Sequence, residues 1–461
     1  MKPKSNPKNS FTTHFRLGPW VAMLASLWMG GAPSFAQANE IPNSTARFTV
    51  APHTPSKIAM QALPMGGCVL RAEGNGDTGH SFTVFADDDG VIRFYVNPSA
   101  ESEQVASFAV NCTAGNQSTK YALELRPSFT PTFDMPAPAV EVRTPRATDS
   151  IRPALANAEA LALSAAELLQ RGYPVRPDAK RAPEALATWL RAVTRPVRIV
   201  NPRLAARPEV HHVAPADASI RENATNWSGF ELRGAAGSYD LVEGEWYVPA
   251  VSSESNNTTY SSFWVGLDGD GTSDLWQAGT EQTIEDIEVL GLHFDFTSYC
   301  AWSQFLPRQA TEEVIPNFSV NPGDLMYSQV WVGNHGQSPS LSGSYAIAIV
   351  ENLSRSESAT LYQCRGVAAL PFCLNLNQVN IGGSEAEWIM ERPAVNGALP
   401  DLADYGSAFM YDAYAEQTNG NWMNYDGANN QQIFMYNGSD LLSAAYPWST
   451  SMILFDWFNF H

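Results

Sequence analysis

Ser261-Ser262-Phe263-Trp264-Val265-Gly266-Leu267, followed by Asp268-Gly269-Asp270-Gly271-Thr272-Ser273-Asp274, decides the reading of the fold. The first seven residues, aromatic and aliphatic with two small hydroxyls, read as a strand. The glycine- and aspartate-rich septet after them reads as a tight hairpin turn. The pattern recurs on both sides, in Glu243–Val248, Met326–Val332, Ser344–Val350, Trp388–Glu391 and Ser451–Trp457. Gly, Asn, Ser and Pro punctuate these runs, and helical periodicity is almost absent from residue 226 to the end. Roughly 240 residues of this kind predict a large antiparallel β-sandwich.

The rest of the 461-residue chain divides by composition. Lys2, Lys4, Lys8 and Arg16 precede an apolar run from Trp20 to Met29, and Ala36-Gln37-Ala38 offers a small-x-small cleavage site, so residues 1–38 read as an export signal. That run is shorter than the ~20 residues that a bilayer demands. Residues 39–128 alternate apolar and polar in short runs such as Arg47–Val50, Cys68–Arg71, Ser81–Phe85, Val91–Val96, Val105–Val110 and Tyr121–Leu125, which predicts a small Ig-like β-sandwich. A Pro-rich linker spans 129–148. The segment 149–215 is basic and partly helical. Asp149-Ser150 is positioned to cap a helix over Ala154–Arg171 that Gly172 ends, and a second helix is expected over Pro183–Val193. Residues 216–461 form the large sandwich.

Charge is unevenly spread. Residues 216–461 hold 30 Asp and Glu against six Arg and no Lys, while 141–215 hold 12 basic against seven acidic residues. The acidic half argues against nucleic acid and anionic membrane as partners. It suits a protein working at low pH, although solubility of an exported protein explains it as simply. Five cysteines fit an oxidising compartment without making a disulfide scaffold. Cys68 and Cys112 are candidates for one bridge, and Cys364 and Cys373 for another that leaves Cys300 over. A pairing of Cys300 with either late cysteine stays open.

Four short segments carry the chemistry: Asn226-Trp227-Ser228-Gly229, Phe263-Trp264-Val265-Gly266-Leu267-Asp268-Gly269, Leu275-Trp276-Gln277-Ala278-Gly279, and Ala386-Glu387-Trp388-Ile389-Met390-Glu391. In this order they resemble the eqolisins, the glutamic peptidases, over roughly residues 222–461. Gly172–Asp178 followed by Ala187-Thr188-Trp189-Leu190 also looks like pro-regions of bacterial members. The resemblance implies two packed, bent antiparallel sheets of jelly-roll or concanavalin type with a cleft on one face. It assigns the catalytic pair to Glu391 and Gln277 and places Trp227, Trp264 and Asp268 in the cleft. Trp264, Gly266 and Asp268 share one face of a regular strand. One departure stands out: where many members read Ala-Trp-x-Glu-x-x-Pro, this chain reads Ala301-Trp302-Ser303-Gln304-Phe305-Leu306-Pro307, so a non-ionising Gln304 lines the substrate site.

Such a pair suffices for peptide hydrolysis. A carboxylate at Glu391 takes a proton from water and later returns one to the leaving amine. The Gln277 amide holds the water and then donates to the oxyanion. Because the carboxylate must be ionised to attack and protonated to release product, activity is expected in acid. No metal and no cofactor are called for. The expected protein is a monomeric, secreted acid endopeptidase of polypeptides, made as a zymogen whose basic segment is an intramolecular inhibitor; the periplasm is the alternative destination to the medium. His211-His212, near the expected junction, would add positive charge below pH ~6.5.

Taken singly, each residue has a plainer role. Gln277 can cap a turn, Glu391 can pair with Arg392 on the surface, and the tryptophans can be core aromatics. Two other functions compete. Glu385, Glu387 and Glu391 share one parity, as the acids of a β-sandwich glycoside hydrolase do. Thirteen tryptophans on two sandwiches would also suit a non-catalytic carbohydrate-binding or adhesion protein. Asp268–Asp274 superficially matches a Ca²⁺ loop but lacks the terminal glutamate.

Overall fold

The computed structural model describes residues 44–50, 56–62, 67–73, 81–85, 90–98, 105–114, 117–127, 133–134, 150–212, 223–253, 255–289, 291–332, 345–364, 381–427 and 429–461. The export signal, the Pro-rich linker but for two residues, and Cys373 lie outside them.

Two antiparallel sheets make up the large domain. The first runs, edge to edge, through Asn430–Asn437, Trp227–Arg233, Glu385–Glu391, Thr259–Leu267, Leu275–Val289 and Leu292–Leu306. The second runs through Glu357–Cys364, Tyr345–Asn352, Leu325–Val332, Tyr239–Tyr247, Ser407–Gln417, Met452–Trp457 and Asp440–Ser449. Asn430–Asn437 joins both, pairing through its first half with Trp227–Arg233 and through its second with Asp440–Ser449. Strand alternation then sorts the side chains. Val265, Trp276, Ala278, Trp388 and Met390 of the first sheet meet Val242, Trp246, Val330, Ala348 and Met410 of the second to form the core. The Trp246 indole reaches across to Thr280 Oγ1 (3.0 Å), and the Trp388 indole to the Glu243 carbonyl (2.8 Å).

The basic segment wraps this sandwich. Val197–Val200 adds a strand parallel to Glu357–Cys364, and Ser150–Arg152 pairs antiparallel to it in turn. Helix Pro183–Val193 forms where the sequence predicts it, with proline in its first turn. Val175, Ala182 and Ala185 pack on Leu241, Trp331, Ile347 and Trp422, the outward residues of the second sheet. The single helix expected over 154–171 is instead two, Asn157–Ala162 and Ala165–Gln170. The break has a local cause. Ser164 and Glu167 form a capping box in which Ser164 Oγ donates to Glu167 Oε2 (2.7 Å) and accepts from the Glu167 backbone N–H (3.3 Å), starting a new helix there. The expected cap residue Ser150 lies in a strand.

The N-terminal strands surround Cys68 and Cys112, which are disulfide-bonded. Gly67–Glu73, Ser81–Phe85, Ala106–Ala114 and Gln117–Pro127 pair antiparallel, but Ser44–Val50 pairs parallel to Gln117–Pro127. Ser56–Gln61 and Val91–Pro98 form the opposing layer, and Val91–Pro98 continues directly into Leu292–Leu306. Ile287, Leu292, Phe294 and Phe296 of the large domain therefore share the core of the N-terminal strands.

Candidate active site

The outward face of the first sheet is a grid fixed by register. One row crosses the strands as Trp227, Glu391, Ser262, Glu281 and Cys300; the next as Gly229, Ile389, Trp264, Gly279 and Trp302; the third as Glu231, Glu387, Gly266, Gln277 and Gln304. Thus Gln277 and Glu391, 114 residues apart in the chain, stand two rows apart on one face, with Trp264 between their rows. A Cβ on Gly279 would lie 2.0 Å from the Phe263 carbonyl oxygen, so this square of the grid admits no side chain beside the Trp264 and Trp302 rings.

Three side chains of the floor, Glu391, Gln277 and Gln304, are each held by a hydrogen bond. The Trp264 indole donates to Glu391 Oε2 (2.8 Å) and packs edge-on against Trp227, ring centres 5.1 Å apart. Gln277 Nε2 donates to Gln304 Oε1 (3.3 Å), and Gln304 Nε2 donates to the Gln309 carbonyl (3.1 Å), which fixes both amides. Glu391 Oε1 and Gln277 Oε1 are buried and have no protein partner among the described residues. Trp227, Trp264, Gln277, Gln304 and Glu391 come together in this way. Asp268 stands apart. Its φ of 63° breaks the strand alternation that would have put it beside Trp264. Its carboxylate instead accepts from the backbone N–H groups of Gly383 (2.6 Å), Ser384 (2.7 Å) and Glu385 (3.2 Å), clamping the turn that leads into Glu385–Glu391.

The described part of the basic segment reaches into this site. Ala205–Ala206 pairs with Glu313–Val314 and Val210–His211 with Ala394–Val395, which carries His212 onto the grid. The His212 ring is fully buried and stacks on Trp302, centres 3.6 Å apart and 3° from parallel. Nδ1 lies 2.8 Å from Glu391 Oε2 and Nε2 2.8 Å from Glu312 Oε2. Its backbone N–H donates to Gln304 Oε1 (3.1 Å), and its carbonyl accepts from Gln277 Nε2 (3.3 Å). Burial alone would lower the ring's pKa, but the Glu391 and Glu312 carboxylates outweigh it and raise it to about 10. His212 is therefore already a cation at neutral pH rather than one that charges below pH ~6.5. Nearby, the Arg207 guanidinium bridges Glu281 and Glu312 (2.9 Å to the latter). His212, Glu281 and Glu312 present ligand atoms within 4.8 Å of one another, the spacing of a metal site, but Arg207 already lies on both carboxylates.

A second acidic group flanks the floor. Glu231 faces Glu387 across the strands; Asp270 lies close to both, and Glu385 and Asp268 lie close to Glu387. Burial, reinforced by mutual repulsion, raises Glu231 and Glu385 to about 8 and Glu387 well above the carboxylate range. Both Glu387 oxygens lack a partner among the described residues. Cys300, at the end of the Glu391 row, has no disulfide partner among the described residues.

Sequence reasoning missed Glu281, Glu312, Trp302 and the depth of His212. Glu281 was reachable, since it lies four residues past Gln277 on the same strand face. Glu312 follows an irregular turn and has no periodic signal.

Solved structures align with part of the chain at low identity. Two structures of scytalido-glutamic peptidase with transition-state analogues align at 18% and 16% identity, with TM-scores of 0.38 and 0.37. SCP-B, a member of the eqolisin family in complex with the tripeptide Ala-Ile-His, aligns at 16% and 0.35. Each alignment covers 51% of this chain and 98% of the other. No curated protein matches the chain. The model of the Peptidase A4 family matches residues 225–453. Through this domain the chain belongs to the Peptidase A4 family, the eqolisins. The A4 domain begins just after the described part of the basic segment and takes in every residue of the grid and both sheets up to the start of Met452–Trp457. The peptidase is by class a glutamic endopeptidase, a hydrolase of peptide bonds. Among its described residues no helix is long and apolar enough to cross a membrane.

Proposed function

We propose that the chain is the precursor of an exported, acid-acting endopeptidase whose catalytic pair is Glu391 and Gln277 and whose basic segment, residues 149–215, is its own inhibitor. One observation carries this reading: a residue of polypeptide, His212, lies between the pair, its carbonyl on Gln277 Nε2 and its side chain on Glu391 Oε2. The gap between the two side chains is thus of peptide size, and an amide donor is aimed at a peptide carbonyl.

In hydrolysis the unpartnered Glu391 Oε1 and Gln277 Oε1 would hold a water. Glu391 takes its proton as the water oxygen bonds to the carbonyl carbon. Gln277 Nε2 donates to the oxygen on which negative charge develops, and the C–N bond breaks as Glu391 returns the proton to the amine. Trp264 keeps the carboxylate oriented throughout. Gln304, which cannot ionise, contributes position rather than charge.

Latency is supported by charge pairing along the whole segment. Arg152 pairs with Glu351, Arg191 with Glu245, Arg198 with Glu357 and Arg207 with Glu281 and Glu312. In each pair the arginine belongs to the segment and the carboxylate to the peptidase. Export is supported by the basic and apolar composition of residues 1–38. The test is proteolysis of a denatured protein substrate in acid by the full chain. Gln277→Ala is expected to lower kcat/KM about 10²–10³-fold, and Glu391→Gln about 10²–10⁴-fold. Undiminished turnover in either variant would overturn the assignment.

A further inference from the structure

His212 is gripped in two separable ways. Its backbone contacts, to Gln304 Oε1 and from Gln277 Nε2, would be available to any residue. Its side-chain contacts would not. Two ring nitrogens on opposite sides meet two carboxylates at 2.8 Å, and with both carboxylates ionised the ring donates an N–H to each as an imidazolium. The ring lies flat on Trp302, whose own indole N–H is tied to Ser262 Oγ (2.9 Å) and so keeps its orientation. Trp302, Glu312 and Glu281 belong to the peptidase, not to the basic segment. They remain when the segment leaves, and then without Arg207.

We propose that Trp302, Glu312 and Glu281 form a specificity subsite for a planar cationic side chain, histidine above all, on the substrate residue whose carbonyl faces Gln277, with Glu312 the residue that sets the preference. This rests on the peptidase reading and names the substrates of that same site. A phenylalanine would stack on Trp302 but leave Glu312 buried without a partner, which should weaken its binding about tenfold or more. Lysine could reach one carboxylate but has no plane to lay on the indole. Arginine keeps both the charge and the plane. Occupation of the subsite leaves Glu391 Oε1 free, so a bound histidine and the attacking water use different oxygens.

The experiment uses the full chain activated in acid and quenched peptides that differ only in the residue before the cut: His, Arg, Phe or Ala. Near pH 5, where imidazole is protonated, kcat/KM for His is expected to exceed that for Phe and Ala about tenfold or more. Glu312→Gln should lower the His-to-Phe ratio by about the same factor. A flat profile in the unmodified chain, or a His-to-Phe ratio unmoved by Glu312→Gln, overturns the proposal. If no peptide is cut at all, the peptidase reading fails, and the subsite is then judged by calorimetry. Full chain carrying His212→Ala should bind free imidazolium at up to tens of millimolar, and His212→Ala with Glu312→Gln should not. Absence of binding to the first, or equal binding to both, overturns it.

Discussion

Arg152 and Glu351, 199 positions apart, form an ion pair of 2.6 Å with both side chains buried. Arg152 also donates to the Gly172 (2.9 Å) and Ala192 (3.1 Å) carbonyls and lies over the Tyr173 ring. It therefore ties the basic segment to itself and to the second sheet at one point. Breaking such a pair from one side strands the other charge in the interior, at a cost of about 3–5 kcal/mol. Arg152→Met is expected to lower the stability of the full chain by that amount and to expose the segment to limited proteolysis. Denaturant unfolding and proteolysis of the variant measure both; Glu351→Gln in the same background should recover part of the loss.

A second expectation concerns latency at the site itself. His212→Ala removes the side chain that occupies Glu391 and leaves the rest of the segment in place. Truncating one partner of a buried hydrogen-bonded charge pair costs about 2–5 kcal/mol, or roughly 30-fold or more in the occupancy of the cleft. Turnover of a small peptide by the uncut chain should rise by that factor near neutral pH. His212→Gln, which keeps a hydrogen bond but no charge, should fall between. No increase in either variant would mean that the segment blocks the cleft by bulk elsewhere.

Acid is expected to free the segment. Burial raises the Glu281 and Glu245 carboxyls, against the pull of Arg207 and Arg191 respectively. Raised carboxyls take up protons earlier as pH falls, so these two pairs lose their charge before an ordinary surface pair would. His212 remains a cation throughout, since its raised pKa of about 10 lies above the range in question. The contact thus fails from its carboxylate side. Glu281→Gln should shift the onset of self-processing to higher pH, read from cleavage of the purified chain across a pH series. An unmoved onset would place the switch outside the Arg207 pair.

The sandwich was legible because its strands repeat one alternation and one turn chemistry. The proposed catalytic pair was suggested only by four short segments, since nothing in a period of two says that Gln277 and Glu391 share a sheet. What alternation leaves open is partner and direction. Ser44–Val50 lies parallel to its neighbour although its pattern is that of any half-buried strand. Asp268 lies just past the end of its strand, where a left-handed φ of 63° interrupts the alternation from which its facing was read. The break at Ser164 was readable from Ser-x-x-Glu but was outweighed by an unbroken apolar spacing. The His212 contact joins residues 212, 302, 312 and 391, and no local rule of sequence connects them.

The last expectation is a stability that declines as pH rises. Glu231, Glu243 and Glu385 are raised by burial to about 8, and Asp295 to about 7. A carboxyl whose folded pKa exceeds its unfolded value favours the folded state while protonated. That contribution is whole below the unfolded value of about 4 and is lost progressively as pH climbs to the folded one. Unfolding free energy should therefore fall between about pH 4 and pH 8, the reverse of acid denaturation. Glu385→Gln removes one such titration without changing the side chain's shape. At about 1.4 kcal/mol per pKa unit the unscreened shift would be worth roughly 5 kcal/mol; with solvent and Arg233 screening part of it, the variant should gain about 1–3 kcal/mol over the unmodified chain at pH 8 and nothing at pH 4. Denaturant midpoints at the two pH values decide it. An equal effect at both would show that Glu385 acts by packing and not by charge.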